Sequence, residues 1–110
     1  MGNTFLNLYY NDSEVGHWNS AIGSYIATSD RRAKKDITYL TNPILDKILN
    51  LKPASYRLNS ADSNSQKAIG FIAQDEEELL PEVVRHKEGS DGLAINYDDF
   101  GVLAIKAIQE

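Results

Sequence analysis

The sequence predicts an α+β fold, a small mixed domain with short strands, two or three helices and a C-terminal helix. Short aromatic and β-branched runs alternate with turn-forming residues, which is typical of strands. Other segments carry apolar residues at helical spacing. The chain has 110 residues, of which 42% are hydrophobic and 25% charged. That length and composition fit one modest globular domain or less.

The first 28 residues have the composition of a β-rich segment. The runs TFLNLYY (4–10) and SAIGSYIATS (20–29) favour strands, and the intervening NDSEVGHW (11–18) carries turn formers. We therefore expect a hairpin or two strands of a sheet. Because the composition changes near residue 28, we interpret residues 1–28 as the end of an upstream segment and residues 29–110 as a separate domain.

The middle of the chain is predicted to form alternating helices and strands. The segment TNPILDKILNL (41–51) predicts a short amphipathic helix, with Pro43 at the first helical position after a Thr41 or Asn42 cap. QDEEELL (74–80) predicts a further helical turn or two. The predicted strands are residues 54–59, residues 67–73 as a buried strand, residues 81–87 and residues 93–97.

The segment YDDFGVLAIKAIQE (97–110) predicts the C-terminal helix. Its expected apolar face consists of Phe100, Leu103, Ala104, Ala107 and Ile108. Three of these residues also have the spacing of a coiled-coil seam, but two turns are too few to distinguish a seam from packing on the chain's own sheet. No terminator precedes Glu110, so we expect the helix to be truncated here and to continue in a longer parent chain.

Composition argues against several classes of partner and site. The sequence contains no cysteine, which excludes disulfides and thiolate metal sites, and no apolar run approaches the roughly 20 residues that span a bilayer. A net charge of -5 argues against nucleic acid. The acidic run 75–78 suits a solvated helix face better than a metal site, because adjacent acids point all round a helix. We expect no cofactor, no metal, no nucleic acid and no membrane.

One short stretch, TSDRRAKKDI (28–37), carries candidate chemistry. Serine becomes a nucleophile when a base lies within hydrogen-bond reach, and a neutral lysine is such a base. Ser29 and Lys34 are five residues apart, which puts them on opposite faces of a strand and roughly 140° apart on a helix. The backbone must therefore turn between them. On spacing alone, the simpler interpretation is favoured, in which Ser29 caps a turn and the neighbouring cations face water.

The segment SDRRAKKDI (29–37) resembles the Ser-Asp-x-Arg-x-Lys-x-x-Ile signature of the intramolecular chaperone of endosialidase family. This family consists of self-cleaving serine-peptidase domains at the C-terminus of phage tailspikes and tail fibres. Three further blocks resemble the family in the same order: LKPASYRLN, AIGFIAQDEEELLPEVV and INYDDFGVLAIKAIQE. All signature positions are filled here, by Ser29, Asp30, Arg32, Lys34 and Ile37.

The resemblance implies a function and a site. Ser29 would be the nucleophile, Lys34 the general base, and the Thr28–Ser29 peptide the scissile bond. Asp30 and Arg32 would support the site, and Arg32 or backbone amides would stabilise the oxyanion.

The resemblance also implies partners and a place of action. The domain would form an intertwined homotrimer, fold its own upstream fibre segment in the host cytoplasm and then release itself, while the parent protein joins the virion tail. If the turn forms only when three chains pack, cleavage reports correct assembly and makes it irreversible. The alternative is a non-cleaving trimerisation cap or binding module on the same scaffold.

Overall fold

The computed structural model describes residues 5–110 and divides the chain into two compact units, one ending at Tyr39 and one formed by Leu40–Glu110. The boundary predicted between residues 28 and 29 is a cleavage point rather than a boundary between compact units, and it stays a prediction. The fold class is confirmed, because residues 5–110 form several short strands and three helices, the last of them C-terminal. Among the residues described, no helix has the length and apolarity needed to cross a membrane.

The first unit contains a three-stranded antiparallel sheet in the order β1-β2-β3. Its strands are β1 (Phe5–Tyr10), β2 (Ser13–Asn19) and β3 (Ser24–Ala27). The first hairpin needs only Asn11 and Asp12, which both have positive φ, of 50° and 66°. Asn and Asp tolerate this backbone conformation better than most residues, and a two-residue loop with two positive φ angles matches the twist of a hairpin.

The predicted turn over residues 11–18 was therefore wrong for most of its length. Residues 13–18 lie in β2, because a tight hairpin requires two residues and the following Val15, His17 and Trp18 suit a strand. Thr4, at the start of the first predicted strand, lies outside the described residues. The pairing of β1 with β2 is irregular: Leu8 pairs with Gly16 and Tyr9 with Glu14, so that Val15 forms a β-bulge.

The second unit combines three short helices with two antiparallel strand pairs. The helices are α1 (Leu45–Leu49), α2 (Ala73–Glu76) and α3 (Asp98–Ile108). The strands are β4 (Ala54–Tyr56), which pairs with β5 (Ala68–Gly70), and β6 (Val84–His86), which pairs with β7 (Leu93–Ile95). Each predicted helix and strand of this region is thus present, although most are shorter than predicted.

The core of the second unit is small. Leu80 and Val83 are completely buried, and Val84 and Leu103 complete the cluster. The pyrrolidine ring of Pro81 opens a 3-10 turn, Pro81–Val83, that leads directly into β6. This turn places consecutive apolar residues of the sequence LPEVV in the same core.

The start of α1 differs from the prediction. The helix begins at Leu45 rather than at Pro43, and its N-cap residue, Ile44, has no side-chain capping bond. Instead the Glu110 carboxylate accepts hydrogen bonds from the amides of Ile44, at 2.9 Å and 3.2 Å, and of Leu45, at 3.2 Å. A residue at the far end of the unit therefore satisfies amides that a local Thr41 or Asn42 cap was expected to bind.

Burial differs from the prediction at three places. The predicted buried strand exposes Ile69 to 83%, and in α3 only Leu103 and Ala107 are buried while Ile108 is 82% exposed. The acidic run is also not entirely solvated, because Glu76 is completely buried. Its Oε1 accepts from the Lys52 amide at 3.3 Å, and its Oε2 has no hydrogen-bond partner within residues 5–110. Because the core of this unit is small, only one narrow face of each helix and strand is buried against it.

Candidate active site

The segment after β3 folds into a tight turn. Asp30 has extended backbone angles, and its Oδ1 accepts a hydrogen bond of 2.7 Å from the Arg32 amide, which caps the 3-10 turn Arg31–Ala33. The turn is closed by bonds from the Ala33 amide to the Asp30 carbonyl and from the Lys34 amide to the Arg31 carbonyl. Aspartate is a favoured cap for such a turn. The capping side chain is thus Asp30 and not Ser29.

This turn brings Ser29 and Lys34 together. Lys34 Nζ donates a hydrogen bond to Ser29 Oγ at 2.8 Å. The same distance also suits the reverse bond, in which the Ser29 hydroxyl donates to a neutral Lys34 amine, because 2.8 Å is a usual separation for a hydrogen bond between nitrogen and oxygen in either direction. Both residues are exposed on the single chain. Their arrangement is that of a nucleophile with a base within reach.

Asp30 and Arg32 form a two-pronged ion pair beside these two residues. Arg32 Nε donates to Asp30 Oδ1 at 3.0 Å, and Nη2 donates to Oδ2 at 2.9 Å. The Arg32 side chain, and then its backbone amide, lower the pKa of Asp30, while Asp30 raises the pKa of Arg32. Because the Arg32 side chain is 89% exposed, solvent screens the pair and its contribution to stability is small. Its structural effect is to hold the Asp30 cap in place.

Thr28, the residue before Ser29, is held against β2. Its amide donates to the Val15 carbonyl at 3.0 Å, and its hydroxyl donates to the Glu14 carbonyl at 3.1 Å. The predicted scissile peptide therefore begins at a residue fixed by both its backbone and its side chain. Sequence reasoning missed Glu14 and Val15, because they lie in the segment predicted to be a turn and carry no chemical signature.

These residues surround a surface cavity of about 240 Å³. Its lining consists of Ser13, Glu14, Val15, Thr28, Ala33 and Lys34. Ser29 Oγ bonds to one lining residue and its backbone follows directly from another. The cavity thus has one wall from β2 and another from the end of the 3-10 turn.

One side-chain contact and one backbone bend fix the chain beyond the turn. Arg31 Nη2 donates to the Tyr39 hydroxyl at 3.0 Å. Asp36 has a positive φ of 56°, which bends the chain directly after the lysine pair. Lys35 makes no side-chain hydrogen bond or ion pair with the residues that the structure describes. The cations of the cluster are therefore not equivalent, since only Lys34 reaches Ser29.

No group suited to hold a metal is found in the described part of the chain, where no three His, Asp or Glu side chains converge. The histidine of β2, His17, instead lies 3.6 Å from Glu14 and packs edge-on against Phe5, with 5.1 Å between ring centroids. The polar side-chain contacts of the turn are thus the Ser29–Lys34 hydrogen bond and the Asp30–Arg32 ion pair.

Comparison with known proteins gives these residues a context. The chain is 34% identical over 113 residues to the long tail fiber protein Gp37 of Enterobacteria phage M1 and to that of Enterobacteria phage Ox2. Each comparison covers 98% of this chain but 45% of the relative, so the chain spans less than half the length of these proteins. Residues 29–85 match the family model described as chaperone of endosialidase, a serine-peptidase type of domain. Because this match covers more than half of the sequence, the chain belongs to the chaperone of endosialidase family.

Proposed function

We propose that this chain is the self-releasing chaperone domain of a phage tail fibre and that Ser29 and Lys34 cut the Thr28–Ser29 bond. The observation that carries the proposal is the 2.8 Å hydrogen bond between Lys34 Nζ and Ser29 Oγ. A lysine five residues from a serine reaches it only through a specific turn, and the Asp30 cap provides that turn.

The proposed reaction is an acyl shift followed by hydrolysis. Ser29 Oγ attacks the carbonyl carbon of Thr28 while the hydroxyl proton passes to the neutral amine of Lys34. The bond between the Thr28 carbon and the Ser29 nitrogen then breaks, and Lys34 returns the proton to the leaving nitrogen. Water hydrolyses the resulting ester, which leaves a carboxylate on Thr28 and restores the Ser29 hydroxyl beside a new α-amino group.

The position of the pair along the chain supports this assignment. The family match begins at residue 29, directly after the proposed scissile bond. The residues before it form a β-sheet, as expected for the end of a fibre, and the two relatives are named as long tail fibre proteins. In this proposal residues 1–28 stay with the fibre in the virion tail, and residues 29–110 are released in the host cytoplasm.

In this proposal, cleavage depends on assembly because assembly removes Lys34 from water. The turn is present in the single chain, so we place the step that awaits assembly at the lysine rather than at the turn. The Lys34 side chain is exposed, however, and removal from water favours the neutral amine that accepts the proton. We propose that packing of three chains covers this lysine and thereby activates Ser29.

Exposed apolar side chains of the second unit support association. Leu49 is 71% exposed, Ile69 83% and Ile108 82%, each on a different element. Covering apolar side chains of this size with partner chains removes apolar surface from water, which stabilises an assembly. We assign this role to a homotrimer, with the upstream fibre segment as the part that it folds.

Asp30 and Arg32 take a supporting role in this proposal. Because Arg32 directs Nε and Nη2 to Asp30, we assign the pair to holding the cap and leave oxyanion stabilisation to backbone amides.

The second candidate function, a non-cleaving trimerisation cap, is favoured by one observation, the exposure of both Ser29 and Lys34 on the single chain.

Intact mass spectrometry on purified protein decides between the two functions. The variants are Ser29→Ala, Lys34→Ala and Lys34→Arg, with Lys35→Ala as the matched control, because Lys35 is a neighbouring exposed lysine that does not reach Ser29. We expect the unmodified chain and Lys35→Ala to split between Thr28 and Ser29 while the other three stay whole. Lys34→Arg tests the base specifically, since arginine keeps the charge and donates hydrogen bonds but does not accept the proton.

Native mass spectrometry on the same samples gives the number of chains. A chain that stays whole in every variant yet forms trimers would establish the cap and overturn the peptidase assignment. Cleavage that survives in Lys34→Ala would overturn the role of Lys34 as the base.

A further inference from the structure

We propose that β2, on the upstream side of the scissile bond, is part of the active site, and that its bulge positions Thr28 for attack. This inference rests on the proposed function and deepens it, because it assigns a positioning role to residues that leave with the upstream product. The residues concerned are Glu14 and Val15, which supply the carbonyls, and Thr28, which binds both of them.

The bulge is the geometric basis of the inference. Within β2, Gly16 is in regular register with both neighbouring strands, since it pairs with Leu8 on β1 and with Ala27 on β3. The preceding residue, Val15, has no partner on β1, because Tyr9 pairs with Glu14 instead. On the other side Val15 accepts the Thr28 amide at 3.0 Å, which extends the ladder one residue beyond β3.

Two successive carbonyls of β2 bind the same residue. In a regular strand, hydrogen bonds from consecutive residues point to opposite neighbours. Here the Val15 carbonyl binds the Thr28 amide and the Glu14 carbonyl binds the Thr28 hydroxyl at 3.1 Å. A bulge changes the direction of the local backbone in this way, and bulges recur beside active sites for that reason.

Holding Thr28 at two points restricts the carbonyl that Ser29 attacks. Attack requires the reacting atoms to be held near contact distance with their orbitals aligned, and small displacements lower the rate greatly. Thr28 carries that carbonyl, while Lys34, which orients Ser29 Oγ, faces the same cavity as Glu14 and Val15. The nucleophile and the bond it cuts are thus fixed from opposite walls.

The chemistry of this arrangement selects the residue at position 28. Its side chain must donate a hydrogen bond to a backbone carbonyl, which threonine and serine do and valine does not. The site therefore recognises a β-hydroxy residue before the nucleophile and a folded upstream sheet rather than an extended peptide. A fibre segment whose β2 had not paired correctly would lack both carbonyl acceptors.

The test compares cleavage time courses of Thr28→Val, Thr28→Ser and the unmodified chain. Thr28→Val keeps the shape and β-branching of threonine and removes the hydroxyl. Thr38→Val is the matched control, because the same change is made at an exposed threonine whose hydroxyl makes no hydrogen bond with the described residues. Fluorescence of Trp18, the single tryptophan, checks that each variant keeps its sheet.

We expect Thr28→Val to cut roughly twofold to tenfold more slowly, the range expected for loss of one hydrogen bond. Thr28→Ser should restore most of the rate, and Thr38→Val should match the unmodified chain. In addition, the Thr28 amide in the uncleaved Ser29→Ala protein should exchange with deuterium as slowly as the amides of β3.

The outcomes separate this inference from the proposed function. If the unmodified chain cuts and Thr28→Val cuts equally fast, the positioning role is overturned and the dyad stands. The inference also fails if Thr28→Val is slow but Thr28→Ser is not faster. An unmodified chain that remains whole overturns the proposed function and this inference together.

Discussion

Gly16 provides a quantitative test of how the sheet beside the site is built. A Cβ added to this buried glycine would lie 2.1 Å from Tyr25 Oη, 2.5 Å from Tyr25 Cζ and 3.0 Å from the Ile26 carbonyl oxygen. Real Cβ atoms do not approach other atoms as closely as the first two distances. In Gly16→Ala the Tyr25 ring must therefore leave its place on β2 and its edge contact with Trp18, in which the ring centroids are 5.1 Å apart.

The expected cost follows from two opposing terms. Forcing a larger residue into a packed position costs about 1–3 kcal/mol. Replacing glycine by alanine in a strand recovers roughly 0.5–1 kcal/mol of backbone entropy. The clash exceeds this gain, so we expect Gly16→Ala to lower the free energy of unfolding of the sheet by about 1–2 kcal/mol.

A double-mutant cycle with Tyr25→Ala isolates the clash. On that background the obstructing ring is gone and only the Ile26 carbonyl oxygen, at 3.0 Å, remains close, so Gly16→Ala should cost much less, and the coupling energy should approach the clash term of about 1–3 kcal/mol. The assay is urea unfolding followed by Trp18 fluorescence at one fixed protein concentration. An equal cost of Gly16→Ala on both backgrounds would refute the argument, because the Tyr25 ring would then not be what the new methyl group meets.

Two further predictions concern the second unit. Leu80→Ala should destabilise it by about 3 kcal/mol, since Leu80 is completely buried and removal of such a side chain leaves a cavity. Leu58→Ala, at a 68% exposed leucine, should change urea unfolding little, and equal effects of the two would contradict the assigned core. The pKa of Glu110 is lowered by the Ile44 amide, then by Lys106 and the Leu45 amide. The ionised Glu110 carboxylate therefore stabilises the fold above the ordinary glutamate pKa, and this stabilisation is lost as the pH falls through the lowered pKa. Thermal melts across the acid range should show that Glu110→Gln is less stable than the unmodified chain near neutral pH and that the difference disappears in acid; a constant difference would contradict the cap.

The features predicted well from the sequence are those set by neighbouring residues. The five-residue spacing of Ser29 and Lys34 required a turn, and the capping chemistry of Asp30 produces one. Pro81 lies at the predicted change from helix 74–80 to strand 81–87, and Gly89, with its φ of 77°, lies between the predicted strands 81–87 and 93–97. Proline and glycine mark such boundaries because they restrict or permit backbone angles locally. The order of helices and strands in the second unit follows from such signals.

The features that the sequence did not predict depend on distant contacts. The amides at the start of α1 bind Glu110, 66 residues away from Ile44, and no local pattern indicates that pair. Glu76 is buried by the fold around it although its neighbours in the sequence are acids. Beside the candidate site, Glu14 and Val15 bind Thr28 through backbone carbonyls next to a bulge, and side-chain identity does not encode such contacts.

The most direct test of the central claim asks whether Ser29 cuts only its own chain. A Ser29→Ala chain, which intact mass distinguishes from the unmodified chain, is coexpressed with it so that mixed assemblies form, and the intact masses of both are followed with time. The account predicts that the unmodified chain splits between Thr28 and Ser29 while the Ser29→Ala chain stays whole in the same assembly. A Ser29→Ala chain cut at that bond would contradict the account, because the nucleophile would then come from another molecule.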